Sequence, residues 1–521
     1  MKRQKQNEIS CWVLGFVAML LFFVGPVSAD EDDPDQVTAR FLYQTTFGPT
    51  PALIDQINQT SYDTWITEQI LLPPTYHSDL YFTPFSKGAQ ANRENAWYQI
   101  ALTSEDQLRQ RMAAFALSQI LVVSKNGGFL SSKPTGLVSY YDLLVENAFG
   151  NYKDLLLKAA KHPAMGNYLS MMGSTKENPT TGALPDENFA RELMQLFTIG
   201  LYQLNLDGSV KFNHDTGQPL ATYSQNDIQE LARALTGWNK SDVDFVLPMR
   251  VVNSLHDTNE KVVLGSTIPA GLNAEEELEL VIDILMAHDN IAPFVSKLLI
   301  QRFVTSNPTP EYIARVASTF NNNGKGVKGD LRAVIKAILL DDEARGLTSN
   351  QPIKVKEPIL VITNFHRAAG FTLTEARYDN AVSLMNIANQ GPLRSPSVFN
   401  FYSPDYQPSK DFVFNGLVAP EYELFDWSVY TELVNFMLYS VRKGSESTYT
   451  LNMDELYQLL DDHNALVDRV DMRFFAGTAS PELKQLMIEV LDNYQTSYVP
   501  KTKLALVIFT AISGSEFYIQ D

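Results

Sequence analysis

The chain has 521 residues, of which 45% are hydrophobic and 19% charged, so it has enough apolar material for a large core and too few charges for extensive disorder. Sixty acidic residues against 41 Lys and Arg give a formal net charge of -19. Such a surface repels phosphate backbones, and nucleic-acid binding is therefore not expected.

The first 29 residues have the three parts of a secretory signal peptide. A basic start (Lys2, Arg3 and Lys5) precedes the apolar run 11–24, and small residues follow up to Ala29. The run is shorter than the roughly 20 residues that a membrane span needs. We therefore expect cleavage after Ala29, export to the periplasm or the extracellular medium, and no stable membrane span in the mature chain. An uncleaved anchor is the alternative.

The expected mature chain contains no thiol, because Cys11 is the one cysteine of the sequence. This excludes disulfides, cysteine nucleophiles and metal sites with cysteine ligands. The sequence also lacks the paired histidines of zinc hydrolases, the glycine-rich phosphate loops of nucleotide-binding proteins and the serine elbow of α/β-hydrolases. No cofactor is expected.

Helical periodicity dominates the chain after the signal segment. Thr50 before Pro51 predicts a helix start, Ser224 with Asp227 predicts a capping box, and Asp330 is a candidate cap for a third helix. Apolar residues recur at helical spacing in 278–285, 294–299 and 331–338. Two short segments, 243–247 and 261–264, have a strand-like composition. The pattern predicts a predominantly all-α fold with ordered loop insertions and at most minor β structure.

No long linker and no internal repeat divides the chain. Glycine- and proline-rich breaks mark three possible sub-blocks. We therefore predict a single large helical domain over residues 30–521, with sub-blocks 30–126, 137–345 and 346–521.

Three segments in the middle of the chain carry a family resemblance. They are 186–200 (DENFARELMQLFTIG), 222–225 (TYSQ) and 232–238 (ARALTGW). Together they resemble the bacterial domain-of-unknown-function family numbered eighteen hundred, and the resemblance continues over nearly the whole mature chain. Further matching motifs are 39–42, 46–49, His256-Asp257 with Lys261, 390–392 and 395–399.

One segment departs from the family pattern. Residues 109–112 resemble the segment that precedes a histidine-bearing stretch in many members, but here that stretch reads Leu117-Ser-Gln-Ile120. Any role of that histidine is therefore absent or reassigned in this chain.

The first candidate site lies on the two central helices. Glu187, Arg191, Glu192, Tyr223 and Arg233 are spaced so that carboxylates and guanidinium groups can pair. Around a cleft, paired carboxylates serve as acid and base while arginines bind an anionic substrate. The structural alternative is an Arg–carboxylate lattice between helices, in which Arg191 pairs with Glu187 and Glu230. If that pair is fully enclosed, removing Arg191 costs about 3–5 kcal/mol.

The second candidate site is His256-Asp257 with Lys261. A carboxylate can orient an imidazole for proton transfer, and an ammonium group can stabilise developing negative charge. In the alternative, Asp257 caps a turn and His256 packs on the helical body. A weaker calcium candidate is the loop with Asn205 and Asp207, which begins like a calcium loop but lacks the terminal glutamate.

Two functional classes fit these observations. The first is an exported protein of the envelope or the cell exterior that binds a partner or helps its maturation. The resemblance implies a partner, because genes of the family often adjoin those of a second exported family, numbered fifteen hundred and one. The second is an enzyme, a hydrolase for example, that uses the Glu/Arg pairs and the His-Asp motif in a cleft. A solvent-accessible pocket that brings the candidate site residues together favours the enzyme. An Arg–carboxylate lattice sealed between helices favours the binding protein.

Overall fold

The computed structural model describes residues 33–81, 89–126, 128–348, 353–493 and 500–520. The predicted signal peptide, 1–29, lies outside these residues. The described chain is predominantly helical with small two-stranded sheets, so the predicted fold class is confirmed.

The first sub-block is built from short helices around the aromatic side chains of Phe41, Trp65 and Trp97. Thr50 caps a helix as predicted, because its side chain accepts a hydrogen bond from the backbone of Leu53. The helices of this part are Pro34–Thr45, Pro51–Asn58, Tyr62–Leu71, His77–Tyr81, Ala89–Thr103, Gln107–Arg111 and Ser118–Ile120.

The central part contains the predicted amphipathic helices. The Ser224 capping box and the Asp330 cap are both present. Its helices are Pro134–Asn147, Tyr152–Lys161, Pro163–Tyr168, Asn188–Glu192, Gln225–Ala234, Ala274–Ala287, Ile291–Phe303, Pro310–Asn321 and Leu331–Leu339, with 3₁₀ turns at Gly128–Ser132 and Asn253–Leu255.

In the last part, three helices pack against the buried helix Pro358–Ala368: Ala381–Ile387, Trp427–Lys443 and His463–Phe474. The other helices of this part are Lys410–Asn415, Asp454–Gln458, Pro481–Asp492 and Pro500–Ile512, with 3₁₀ turns at Pro420–Leu424 and Ser515–Tyr518.

The four small sheets are antiparallel pairs of strands. They join Trp238–Asn239 to Arg250–Val251, Lys261–Val263 to Ser266–Ile268, Lys354–Val355 to Ile519–Gln520, and Phe371–Leu373 to Tyr449–Leu451.

The prediction of a strand over 243–247 is wrong. The carboxylate of Asp242 accepts hydrogen bonds from the backbone N–H groups of residues 244 to 247, at 2.5–3.3 Å. Donors that point at one carboxylate cannot form a ladder with a neighbouring strand, so this segment is a turn. The other expected strand, 261–264, is present as Lys261–Val263.

Two helices widen into a π-helix for one turn. Gln107–Arg111 continues as the π-helix Met112–Leu117, and Asn188–Glu192 continues as Leu193–Thr198. Both π-helices pack against the helix Ile291–Phe303. Such segments insert a residue into a helix and are often found at functional sites.

Polar contacts link the three parts of the chain. The Asn364 side chain donates to the carbonyl of Phe47 at 2.7 Å, and the Gln520 side chain donates to the carbonyl of Phe303 at 2.8 Å. In the described residues we find no helix with the length and apolar character needed to span a bilayer.

Candidate functional site

The structure brings four of the predicted residues together around the first turns of the helix Asn188–Glu192. An Arg191 guanidinium nitrogen lies 3.0 Å from Glu187 Oε2. Burial raises the pKa of Tyr223, and the charges of Arg191 and Glu192 act on the same hydroxyl. That hydroxyl donates to the side chain of Gln195 at 3.3 Å. Glu187, Arg191, Glu192 and Tyr223 are therefore one cluster.

Arg191 is only partly buried, so the condition of a fully enclosed ion pair is not met. Its side chain is 39% exposed and that of Glu187 is 31% exposed, while Glu230 pairs with Arg233 instead. A pair so open to water contributes less than about 1 kcal/mol, because solvent screens the attraction. The cost of 3–5 kcal/mol that complete burial implied does not apply to Arg191.

Glu192 is the buried carboxylate of this cluster. One of its oxygens, Oε2, is enclosed and accepts no hydrogen bond from the described chain. Burial raises the pKa of the Glu192 carboxyl, and the nearby charge of Arg191 opposes the shift. A buried carboxyl with a free oxygen is a candidate proton donor or ligand contact.

The other predicted residues form a separate and closed network. Arg233 donates to Asp257 Oδ2 at 2.8 Å and to both oxygens of Glu230 at 2.8 Å. Although burial raises the pKa of Asp257, hydrogen bonds from Arg233 and from the backbone of Asn259 hold it below its usual value. This network is an Arg–carboxylate lattice of the kind that the sequence offered as the structural alternative, but it is centred on Arg233 and does not include Arg191.

Lys261 and His256 face a residue that the sequence did not identify, Glu277. Lys261 Nζ donates to Glu277 Oε1 at 2.7 Å, and both side chains are fully buried. His256 Nδ1 donates to the carbonyl of Thr236 at 2.9 Å, and its Nε2 lies 3.6 Å from Glu277 Oε1. Asp257 therefore does not orient His256. The arrangement matches the alternative in which Asp257 caps a turn, since its carboxylate accepts a hydrogen bond from the backbone of Asn259 at 2.9 Å.

A periodic signal for Glu277 was present in the sequence. Position 277 precedes Val281 and Leu285 by four and eight residues, so it lies on the buried face of the helix Ala274–Ala287. An acidic residue at such a position needs a buried cation, which Lys261 supplies.

The calcium candidate is a closed turn. Asp207 Oδ1 accepts hydrogen bonds from the backbone and the hydroxyl of Ser209, at 2.9 and 2.6 Å, and these bonds lower the pKa of Asp207. Asn205 donates to the same hydroxyl at 3.0 Å. In the described residues, no three His, Cys, Asp or Glu side chains are grouped to hold a metal ion.

A cleft that the sequence did not predict lies between the π-helix Met112–Leu117 and the loop 389–401. Including the solvent at its mouth, about 360 Å³ is free of protein atoms. Its polar lining comes from buried side chains, and its apolar lining includes an indole and a phenyl ring. Among the lining residues are Trp97, Phe115, Ser118, Gln119, Gln390, Ser395 and Asn400.

A buried carboxylate, Glu357, holds the floor of this cleft. It accepts hydrogen bonds from Gln119 at 3.0 Å, from the hydroxyl of Tyr402 at 2.9 Å, and from Gln390. The guanidinium of Arg111 is fully buried nearby, and burial lowers its pKa to about 10 while the charge of Glu357 opposes that shift.

The loop over the cleft carries backbone strain. Asn389, Leu393 and Asn400 adopt the left-handed region, with φ of 47°, 53° and 72°. This conformation costs a non-glycine residue roughly 1–2 kcal/mol. Strain of this kind clusters at ligand-binding and catalytic sites, where the surrounding structure holds it in place.

Two polar groups of that loop lack ordinary partners. The side-chain nitrogen of Asn400 is enclosed without a hydrogen bond from the described chain. The Ser395 hydroxyl is enclosed as well, and its interaction with the Tyr168 hydroxyl lowers the pKa of that phenol, which burial raises. Glu192 acts on the same phenol. Tyr168 therefore connects the cleft to the cluster around Glu192.

Sequence reasoning identified the cleft segments only as family motifs. Residues 390–392 and 395–399 were recognised by resemblance and 117–120 as a departure from the family pattern, and no local pattern indicated that they meet in space. A second, wide depression lies at Asn151, Lys153 and Asp283, away from every predicted site residue.

Comparison with known proteins gives one match. The family model described as "Protein of unknown function (DUF1800)" matches residues 40–518. No curated protein and no solved structure matches the chain. Since the match covers nearly the whole chain and includes both π-helices, the closed Arg–carboxylate network and the cleft, the chain belongs to the DUF1800 family.

Proposed function

We propose that the protein is exported and binds a partner, a short polar part of which enters the cleft between the π-helix Met112–Leu117 and the loop 389–401. The expected partner is an exported protein of the family numbered fifteen hundred and one, as the family resemblance implies. The cleft is too small for a folded domain, and its enclosed part admits only a single small polar group of a partner.

The observation that carries this proposal is the unpartnered amide nitrogen of Asn400 in a strained, buried loop. An enclosed polar group without a partner costs about 1–3 kcal/mol. A ligand that accepts a hydrogen bond from Asn400 removes this cost, so binding and loop stability reinforce each other. The fully buried pair of Lys261 and Glu277 supports the same interpretation, because these two groups are enclosed and already bonded to each other.

Export is tested by the N-terminus of the protein recovered from outside the cytoplasm. We expect it to begin at Asp30, because small residues at 27–29 favour cleavage after Ala29. N-terminal sequencing that starts at Met1 would contradict the proposal of a cleaved signal peptide.

Partner binding is tested by filling the cleft. In Ser395→Leu, three additional carbons replace the hydroxyl and occupy the space that the partner enters, so we expect binding of the proposed partner protein to weaken by about tenfold or more. Surface plasmon resonance with the immobilised partner measures the change.

The matched control is Ser318→Leu, an exposed position on the helix Pro310–Asn321. It should bind as the wild type does. Equal binding by Ser395→Leu, with a wild-type circular dichroism spectrum, rules out the cleft as the binding site.

An enzyme is the second candidate, and Glu192 is the observation that favours it. Its buried carboxyl, the Tyr168 hydroxyl and the Ser395 hydroxyl lead from the cluster into the cleft. A carboxyl whose pKa is raised by burial can donate and accept a proton during a reaction. Hydrolysis of 4-nitrophenyl acetate that is lost in Glu192→Gln and kept in Glu187→Gln would favour this candidate.

A further inference from the structure

Beside the cleft, three cations surround one carboxylate. We propose that Lys125 and Arg394 form a site for a carboxylate of the bound molecule, at the end of the cleft lined by Trp97 and Pro392. This inference rests on the proposed binding function and names the chemistry of the group that is bound.

The central carboxylate belongs to Glu94, which is buried. Lys125 Nζ lies 2.9 Å from Glu94 Oε1, and an Arg93 guanidinium nitrogen lies 3.2 Å from the same oxygen. An Arg394 guanidinium nitrogen lies 3.5 Å from Glu94 Oε2. In the described part of the chain, Glu94 is the one carboxylate that pairs with these three cations. Three positive charges against one negative charge leave two positive charges uncompensated in this group, the Glu94 cluster.

The cations differ in how far they are already used. Arg93 is buried and donates to Gln90, to Glu94 and to the carbonyl of Pro392. Lys125 and Arg394 are each 21% exposed at the side chain. The ammonium of Lys125 has three donors and one hydrogen-bonded acceptor in the described chain, so donors remain for a ligand.

Hydrogen bonds to backbone carbonyls fix the Glu94 cluster to the loop that lines the cleft. The backbone N–H of Lys125 donates to the carbonyl of Leu393 at 2.9 Å, and the Ser124 hydroxyl donates to the carbonyl of Ser395 at 2.7 Å. Pro392, Leu393 and Ser395 line the cleft on both sides of Arg394 in the sequence. Lys125 and Arg394 do not line the cleft themselves, but an anion that they hold lies beside it, at the same loop.

Two excess positive charges in a partly buried position attract an oxyanion, although the whole chain has a net charge of -19. A guanidinium and an ammonium side by side match the two oxygens of a carboxylate, each oxygen accepting a charge-assisted hydrogen bond. Both the C-terminus of a peptide and an acidic side chain present this group.

Calorimetric titration of the exported protein at low salt tests the site with three probes. They are N-acetyl-Gly-Gly with a free carboxylate, N-acetyl-aspartate amide, and the neutral N-acetyl-Gly-Gly amide. We expect at least one acid to bind and the neutral amide to bind about tenfold more weakly or not at all. The acid that binds more tightly identifies the source as a C-terminus or a side chain. Equal binding of all three overturns the proposal.

Substitutions locate the binding. Lys125→Gln and Arg394→Gln should each weaken binding of the acid by about tenfold, since each removes one charge-assisted hydrogen bond. The matched controls Lys443→Gln and Arg469→Gln remove the same charges from exposed pairs and should leave binding unchanged. Glu94→Gln should tighten binding, because it removes the competing carboxylate. Loss of affinity in the controls equal to that in Lys125→Gln and Arg394→Gln overturns the proposal.

The two proposals can fail separately. If the acids bind at Lys125 and Arg394 but the partner protein does not bind, partner recognition fails and the carboxylate site stands. If the partner binds through the cleft, and binds the wild type, Lys125→Gln and Arg394→Gln with the same affinity, only the carboxylate site fails.

Discussion

Lys261→Met is expected to destabilise the protein by about 3–5 kcal/mol, because it leaves the carboxylate of Glu277 buried without its cation. Both side chains are fully buried and 2.7 Å apart. His256 Nε2, at 3.6 Å, is too far away to replace the lost hydrogen bond. The midpoint of urea unfolding, followed by circular dichroism, measures the effect.

A double substitution separates the loss of the pair from the loss of the lysine. Lys261→Met with Glu277→Leu removes both charges, and we expect it to recover most of the lost stability, since no buried charge remains. The matched control Lys153→Met breaks an exposed pair with Asp283 and should cost less than about 1 kcal/mol. An unfolding midpoint of Lys261→Met equal to that of Lys153→Met would show that Glu277 does not depend on Lys261.

Glu357→Leu is the second substitution with a large expected effect. It removes the acceptor shared by Gln119, Gln390 and Tyr402, and it leaves the buried guanidinium of Arg111 without its nearby negative charge. We expect a loss of about 3–5 kcal/mol in the free energy of unfolding. The floor of the cleft should loosen as well, so binding should be lost together with stability.

The control for Glu357→Leu is Glu455→Leu, which breaks an exposed pair with Arg469. It should change the free energy of unfolding by less than about 1 kcal/mol. Thermal unfolding of the two variants measured side by side gives the comparison. If Glu357→Leu unfolds at the same temperature as Glu455→Leu, the carboxylate is not needed to hold the cleft.

Local signals in the sequence predicted the helices well. Thr50, Ser224 and Asp330 cap helices because a short polar side chain satisfies the free N–H groups of the first turn, which needs no information from the rest of the fold. The segment 243–247 failed for an equally local reason. Its β-branched and aromatic residues favour a strand, but the carboxylate of the preceding Asp242 accepts hydrogen bonds from the backbone N–H groups of this segment.

The candidate site was harder to predict because its members are distant in sequence. Gln119 and Glu357 are in contact across 238 positions of the chain. No periodic pattern in the sequence predicts a contact between residues so far apart. The π-helices also escape a search at the helical period, since an inserted residue shifts the apolar spacing within one turn. The cluster at Glu187, Arg191, Glu192 and Tyr223 was found because three of its members share a single helix end and the fourth precedes the next helix.

The short strand Ile519–Gln520 has a consequence for the order in which the protein matures. It pairs with Lys354–Val355, and the Gln520 side chain reaches the carbonyl of Phe303. A ribosome synthesises residue 520 long after residue 303. The contacts of Gln520 with the middle of the chain can therefore form only late in synthesis. The antiparallel pair that joins Lys354–Val355 to the last part of the chain is therefore unavailable until residue 520 has been made.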